Sequence, residues 1–175
     1  MLSIILPTFN EAQNLPALLH SIEVALQDIS HELIIVDDDS PDGTWRVAEG
    51  LSELYPTLRV LRRRGKKGLS SAVIDGFDMA KGDYLIVMDA DGQHDPLLLR
   101  SLVDALQKGS DLVIGSRYVA GGSVGEWVTD RRIISRIGTF IALGVSRVRV
   151  SDPLGGFFGL QHHLYQPIQI GRAHV

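Results

Sequence analysis

Tyr84-Leu85-Ile86-Val87-Met88-Asp89-Ala90-Asp91-Gly92-Gln93 is the stretch on which the fold turns. Its first five residues are an unbroken apolar run, as expected of a strand buried on both faces. The run stops at an acidic turn with a glycine. Asp95-Pro96 then supplies a cap residue ahead of an N1 proline, and Leu99, Leu102, Val103 and Leu106 recur at helical spacing. Strand, polar turn and amphipathic helix in that order form one half of a parallel βαβ unit.

The same alternation extends toward both ends. Further strands are predicted at Leu2–Leu6, Leu33–Val36, Arg59–Leu61 and Leu112–Ile114. Leu15, Leu18, Leu19, Ile22 and Leu26 make one apolar helical stripe. Asn10 with Gln13 reads as a capping box, and Ser40-Pro41 as a second cap before proline. After Ser116 the regularity weakens: Gly121-Gly122-Ser123 marks a loop, Ile133–Val145 an apolar helix, and Gly155–Gly159 a glycine–aromatic turn. The predicted fold class is α/β, with a mostly parallel sheet covered by helices on both faces.

Composition sets outer bounds. The 175 residues, 45% hydrophobic and 22% charged, suit one compact domain. Zero cysteine excludes disulfides, zinc–thiolate sites and a cysteine nucleophile. No apolar stretch approaches the ~20 residues of a membrane-spanning helix, and no signal peptide is expected at the N-terminus. A net charge of -4 makes nucleic acid a poor match as partner. That charge is divided: residues 1–115 carry 10 Lys/Arg against 18 Asp/Glu, and residues 116–175 carry 7 against 3. A cation-binding part joined to an anion-binding part fits the division, as do solvated helix faces.

In an open α/β sheet, ligands sit beyond the carboxyl ends of the strands. The polar clusters there are Pro7-Thr8-Phe9-Asn10-Glu11, Asp37-Asp38-Asp39, Asp89-Ala90-Asp91-Gly92-Gln93 and Gly115-Ser116-Arg117. Alternate side chains of an extended stretch face one way, so Asp89, Asp91 and Gln93 can converge on a hard cation, Mg²⁺ or Mn²⁺. One acid of Asp37–Asp39 suits a ribose or base edge; helix capping and solvation account for the others. Arg62-Arg63-Arg64-Gly65-Lys66-Lys67-Gly68 could cradle phosphate or meet an anionic membrane, or be a solvated loop. Arg117, Arg131, Arg132 and Ser135 suit phosphate oxygens. His94, beside the acidic cluster, either joins the site or packs. Neither a P-loop nor Gly-x-Gly-x-x-Gly is present, which speaks against a P-loop nucleotidase and a nicotinamide dehydrogenase.

Together these strings resemble the family 2 glycosyltransferases, and within them the dolichyl-phosphate (polyprenyl-phosphate) mannosyltransferases. The resemblance runs from Ser3 to about Phe158 and includes Lys67-Gly68-Leu69-Ser70-Ser71-Ala72 and Asp152-Pro153-Leu154-Gly155-Gly156-Phe157-Phe158. It implies a GT-A (Rossmann-like) fold. It places the guanine nucleotide of GDP-mannose against Pro7, Phe9, Glu11, Val36, Asp38 and Ala90. The divalent ion falls to Asp89, Asp91 and Gln93, and the phosphate of a dolichyl or polyprenyl acceptor to Arg117, Arg131 and Ser135. Asp91, Arg117 and Arg131 are the expected catalytic residues. Two departures stand out: Gly155 replaces a usual serine, and Phe9 a usual tyrosine. The Gln-x-x-Arg-Trp segment of processive synthases is absent.

The implied reaction is an inverting displacement at the sugar C1, giving a β-linked lipid-phosphate mannose, with the metal neutralising the departing diphosphate. A dianionic acceptor phosphate needs positioning more than a base. The alternatives are glucosyl transfer from a UDP-sugar to the same lipid, or an inactive nucleotide-binding fragment. Family members continue past Gly-Phe-Phe. Residues 1–160 are therefore expected to be an incomplete transferase domain and 161–175 an atypical tail, with Ile170–Val175 artefactual. The implied location is the cytoplasmic face of a membrane, peripheral or anchored by missing segments.

Overall fold

The structure, a computed structural model, describes residues 1–115 and 156–165. In chain order the elements are β1 (Leu2–Thr8), α1 (Leu15–Ala25), β2 (His31–Asp37), α2 (Thr44–Leu51), β3 (Leu58–Arg62), α3 (Leu69–Met79), β4 (Tyr84–Met88), α4 (Leu98–Gln107), β5 (Leu112–Ile114) and β6 (Phe157–Gln161). The sheet order is β3-β2-β1-β4-β6-β5. β1, β2, β3 and β4 pair in parallel, whereas β6 lies antiparallel to both β4 and β5. Strand order reverses between β1 and β4, and a crevice opens at such a switch point beyond the carboxyl ends.

Alternation along the strands divides the core in two. Leu2, Ile4, Leu6, Leu33, Ile35, Ile86 and Met88 face α1, α2 and α4, meeting the buried stripes Leu15/Leu18/Leu19/Ile22 and Leu99/Leu102/Val103/Leu106. Ile5, Ile34, Val36, Leu85 and Val87 face the other way, onto Ala72, Val73 and Phe77 of α3. Each such side chain contributes about 1.5–3 kcal/mol when fully buried. α3 sits close to the sheet because Gly76 has no side chain. A Cβ there would lie 2.5 Å from Ile5 Cγ2 and 3.2 Å from Val36 Cγ2.

Four local expectations are corrected. The glycine–aromatic segment is no turn: from Phe157 it is the strand β6, with Phe157 buried on the α4 face and Phe158 and Leu160 on the α3 face. The Asn10/Gln13 capping box does not form. Asn10 adopts φ +63, and α1 starts at Leu15 with proline in its first turn. Ser40 does not cap α2, which starts at Thr44; its hydroxyl donates to Asp37 Oδ2 at 2.6 Å. Asp95 Oδ1 accepts the Leu97 N–H at 2.9 Å just ahead of α4, which starts at Leu98 with Leu97 as its N-cap, so Pro96 precedes the helix and is not its first residue.

The amino ends of the strands are tied by a buried carboxylate. Glu32 accepts from Ser3 Oγ at 2.7 Å, the Lys81 N–H at 2.6 Å and Arg59 Nη1 at 2.9 Å. Burial alone would raise its pKa, yet these donors hold it below the ordinary 4.5. Its contribution to stability is therefore complete above that value and is lost as pH falls below it. Glu32→Gln is expected to cost about 1–3 kcal/mol at pH 7. Urea denaturation across the acid range should show the deficit shrinking toward pH 3, and a pH-independent deficit would contradict this role.

Candidate functional site

The segments that follow β1, β2 and β4 meet at the switch-point crevice. Asp37, fully buried, joins two of them. Thr8 Oγ1 donates to its Oδ2 at 3.0 Å and the Ser40 N–H to its Oδ1 at 2.9 Å. Ser40 Oγ in turn accepts the Asn10 N–H at 3.0 Å, and Thr44 Oγ1 accepts the Glu11 N–H at 2.8 Å. Asn10 (φ +63) and Asp39 (φ +56) both lie in the left-handed region, which Asn and Asp tolerate better than most residues. Such backbone is favoured where a turn is held for a purpose.

The three consecutive carboxylates have three separate assignments. Asp37 locks the β1 and β2 ends together. Asp38 accepts the Gly68 N–H at 2.7 Å and faces Arg63 Nε at 3.1 Å. Asp39 accepts from Arg62 Nε at 2.5 Å, and the same guanidinium lies 3.6 Å from the centre of the Trp45 ring. The basic segment is likewise not one solvated run. Arg63 is buried, whereas Arg64, Lys66 and Lys67 are exposed. Lys67 Nζ lies 5.3 Å from the centroid of the exposed Phe9 ring, a cation–π contact.

The turn after β4 and Glu11 after β1 form an acidic wall. Asp91 is exposed, and its Oδ1 accepts the Gln93 N–H at 3.0 Å. Asp89 is partly buried, 3.9 Å from His94 Nε2. The His94 ring packs on Phe157 at 5.2 Å between centroids, so this histidine packs as well as bordering the site. Gly156, just before β6, closes on Asp89, since its carbonyl accepts the Asp89 N–H at 3.2 Å. Glu11 completes the wall. Burial raises its pKa first, and the charges of Asp91, Asp42 and Asp89 raise it further, against a hydrogen bond from Asn14 that lowers it. Carboxylates that repel one another this way form a site that a cation would relieve.

Among the described residues, no three His, Asp or Glu side chains are grouped so as to hold a metal by themselves. Gln93 meets Asp91 through its main chain, and its side chain is exposed. Hard carboxylate oxygens in an incomplete set fit Mg²⁺ or Mn²⁺, which take remaining ligands from water and phosphate. Of the other expected ligand contacts, Pro7, Val36 and Ala90 have buried side chains, Val36 packing under α3 and Ala90 with α4, so only their backbone could meet a ligand. Phe9, Glu11 and Asp38 lie at the crevice. Arg117, Arg131, Arg132 and Ser135, the expected acceptor-phosphate group, lie outside the described residues, as do Gly155 and the predicted helix Ile133–Val145.

Burial of Glu11, together with the charge repulsion around it, has a measurable consequence. Its raised pKa makes the ionised form unfavourable to folding, so Glu11→Gln should stabilise the protein at pH 7 by a few tenths to about 1 kcal/mol. The gain should vanish as pH falls below 4.5, where Glu11 is protonated in both states. Thermal melts from pH 4 to 8 check this, and a variant less stable at pH 7 would contradict it.

A parallel-cored six-stranded sheet covered by helices, with carboxylates gathered at its switch point, defines an open α/β domain. The chain belongs to glycosyl transferase family 2, whose family model matches residues 3–168. It is 45% identical over 170 residues to the dolichol-phosphate mannosyltransferase of Pyrococcus furiosus, covering 96% of this chain and 48% of that protein. It is 36% identical over 171 residues to the polyprenol monophosphomannose synthase of Mycolicibacterium smegmatis, covering 95% of this chain and 64% of that protein. The chain thus spans roughly half to two-thirds of these relatives' length.

Among solved structures, mannosyl-3-phosphoglycerate synthase from Rubrobacter xylanophilus matches with a TM-score of 0.67 at 20% identity, over 93% of this chain and 54% of that one. Glucosyl-3-phosphoglycerate synthase from Mycobacterium tuberculosis, in complex with Mn²⁺, UDP-glucose and phosphoglyceric acid, gives 0.64 at 21% identity, over 93% and 57%. At these identities the likeness is one of fold, and the fold is GT-A, as the resemblance implies.

Proposed function

We propose that the chain carries a transferase domain that moves mannose from GDP-mannose to the phosphate of a dolichyl or polyprenyl lipid. The observation that carries this reading is the gathering, past the carboxyl ends of β1 and β4, of the mutually repelling acids Glu11, Asp89 and Asp91, with Lys67 set over the Phe9 ring that follows β1. Support for mannose and for the lipid comes from the names of the two relatives. Phe9 offers a ring face to the base, and Asp38, its Oδ2 taken by the Gly68 N–H, backs the loop that carries Lys67. Asp89 and Asp91, with Gln93, would hold Mg²⁺ or Mn²⁺, which would supply Lewis acidity at the diphosphate.

The chain's own residues do the remaining work. The Asp37–Ser40–Thr8 lock fixes the crevice walls, so the donor is oriented on a preformed surface. Arg117, Arg131 and Ser135 would place the acceptor phosphate for in-line attack with inversion, giving the β-linked product. The acceptor implies work at a membrane surface, on its cytoplasmic face. Among the described residues, no helix is long and apolar enough to cross a membrane.

Calorimetric titration with GDP and with UDP, each with and without Mn²⁺, tests the donor side. The expected result is GDP binding at least about tenfold tighter than UDP, and tighter still with Mn²⁺. Preference for UDP would transfer the reading to a UDP-sugar, the alternative named above.

A further inference from the structure

Arg63 is the middle of three successive arginines and is only 3% exposed, the one of the three that the fold buries. Its main-chain N–H donates to Asp37 O at 2.7 Å, continuing the β2–β3 register. From there the guanidinium spans three elements. Nη2 donates to Ser71 Oγ in α3 at 2.7 Å, and Nη1 approaches Gly68 O at 3.5 Å. Nε faces Asp38 Oδ1 at 3.1 Å and Asp75 Oδ2 at 3.5 Å. Ser71 Oγ itself donates to Gly68 O at 2.9 Å, so the loop's last residue is gripped on two sides.

The pair is incompletely satisfied. Asp38 Oδ2 is committed to the Gly68 N–H, but Asp38 Oδ1 and Arg63 Nε are both buried without a hydrogen-bond partner. Their closeness is electrostatic and not a formed hydrogen bond. Leaving such an acceptor buried costs free energy unless something completes it. A planar guanidinium wedged between two carboxylates and a hydroxyl has little freedom to turn, and neither does the carboxylate it faces.

From this geometry we infer that Arg63 is a positioning residue for nucleotide recognition. It fixes the buried Asp38 carboxylate against the Gly68 N–H and holds the Gly68 carbonyl, so that Lys67 stays over Phe9 where the nucleotide would lie. The inference rests on the proposed nucleotide site and adds a residue that never touches the nucleotide. Arg63 acts through Asp38, so removing it should matter only while Asp38 is present.

The test is a double-mutant cycle read by calorimetric titration of the full chain with GDP and Mn²⁺, using Asp38→Asn, Arg63→Gln and the pair. Arg63→Gln alone should weaken GDP binding about tenfold, the scale of one charge-assisted contact. Asp38→Asn alone should weaken it at least as much, and the double variant should be no weaker than Asp38→Asn. If the two losses multiply, or Arg63→Gln binds as the parent does, Arg63 has a structural role only and the inference is overturned. If Asp38→Asn binds GDP as the parent does, the Arg63–Asp38 link has no part in recognition and the inference is overturned; if the parent itself binds no GDP, the nucleotide-site reading fails and takes the inference with it. Should Arg63→Gln not fold, Ser71→Ala replaces it, because it keeps both charges and removes the Nη2 anchor. Weaker GDP binding by Ser71→Ala at an unchanged melting temperature supports positioning, and unchanged binding contradicts it.

Discussion

Asp91→Ala is expected to lower transfer of mannose from GDP-mannose by roughly 10³-fold, equivalent to about 4 kcal/mol of lost transition-state stabilisation. The fold should hardly notice. Asp91 is exposed on the turn after β4, and its carboxylate accepts one hydrogen bond from the Gln93 N–H. Exposed substitutions of this kind usually stay within about 0.5 kcal/mol. The variant should therefore melt with the parent while losing both turnover and the Mn²⁺-dependent gain in GDP affinity. Excess Mn²⁺ should not restore either. A variant keeping more than about a tenth of parental activity would remove Asp91 from the proposed metal set.

Gly156→Ala should have the second large effect, for a steric reason. A Cβ at position 156 would lie 1.8 Å from Asp89 Oδ2 and 2.4 Å from Asp89 Cγ. β6 cannot readily yield, because it is paired with β4 on one side and β5 on the other and buries Phe157 and Phe158 in both cores. The carboxylate must give way, and it is one of the proposed metal ligands. Overpacking of this sort costs about 1–3 kcal/mol of stability. The larger loss should be in activity, on the order of 10²-fold, because a displacement of about 1 Å at a catalytic group has that effect. Activity and urea stability measured on the same preparation check both parts. Full activity in Gly156→Ala would show that Asp89 needs no fixed position.

The sheet's central strands were readable because burial on both faces leaves an unbroken apolar run, as in Leu85-Ile86-Val87-Met88. β6 was not readable for the complementary reason. Phe157-Phe158-Gly159-Leu160 contains a glycine that looks like a turn, and its antiparallel place between β4 and β5 is decided by tertiary pairing. The glycine is required by neighbours far away in the chain: a Cβ at 159 would meet Ile86 Cγ1 at 2.8 Å and Leu106 Cδ1 at 3.1 Å. Capping showed the limits of local chemistry. Ser40 and Asn10 are good cap residues, yet both are drawn into the link between the β1 and β2 ends, where Ser40 also completes the buried Asp37.

The site was legible in its types and not in its assignments. Asp37, Asp38 and Asp39 are chemically identical, and only the fold gives them to Thr8 and Ser40, to Gly68 and Arg63, and to Arg62. Arg62, Arg63 and Arg64 present the same difficulty. Three arginines in a row read as surface, but the middle one is buried against two carboxylates. Burial of a cation needs partners supplied by other elements, and no spacing rule within the segment reveals them.

The most direct measurement of the central claim incubates the chain with polyprenyl phosphate, Mn²⁺ and either labelled GDP-mannose or labelled UDP-glucose, and counts label in the lipid fraction. Lipid-borne label is expected from GDP-mannose and should be abolished by EDTA and by Asp91→Ala. Label arriving from UDP-glucose and not from GDP-mannose would contradict it.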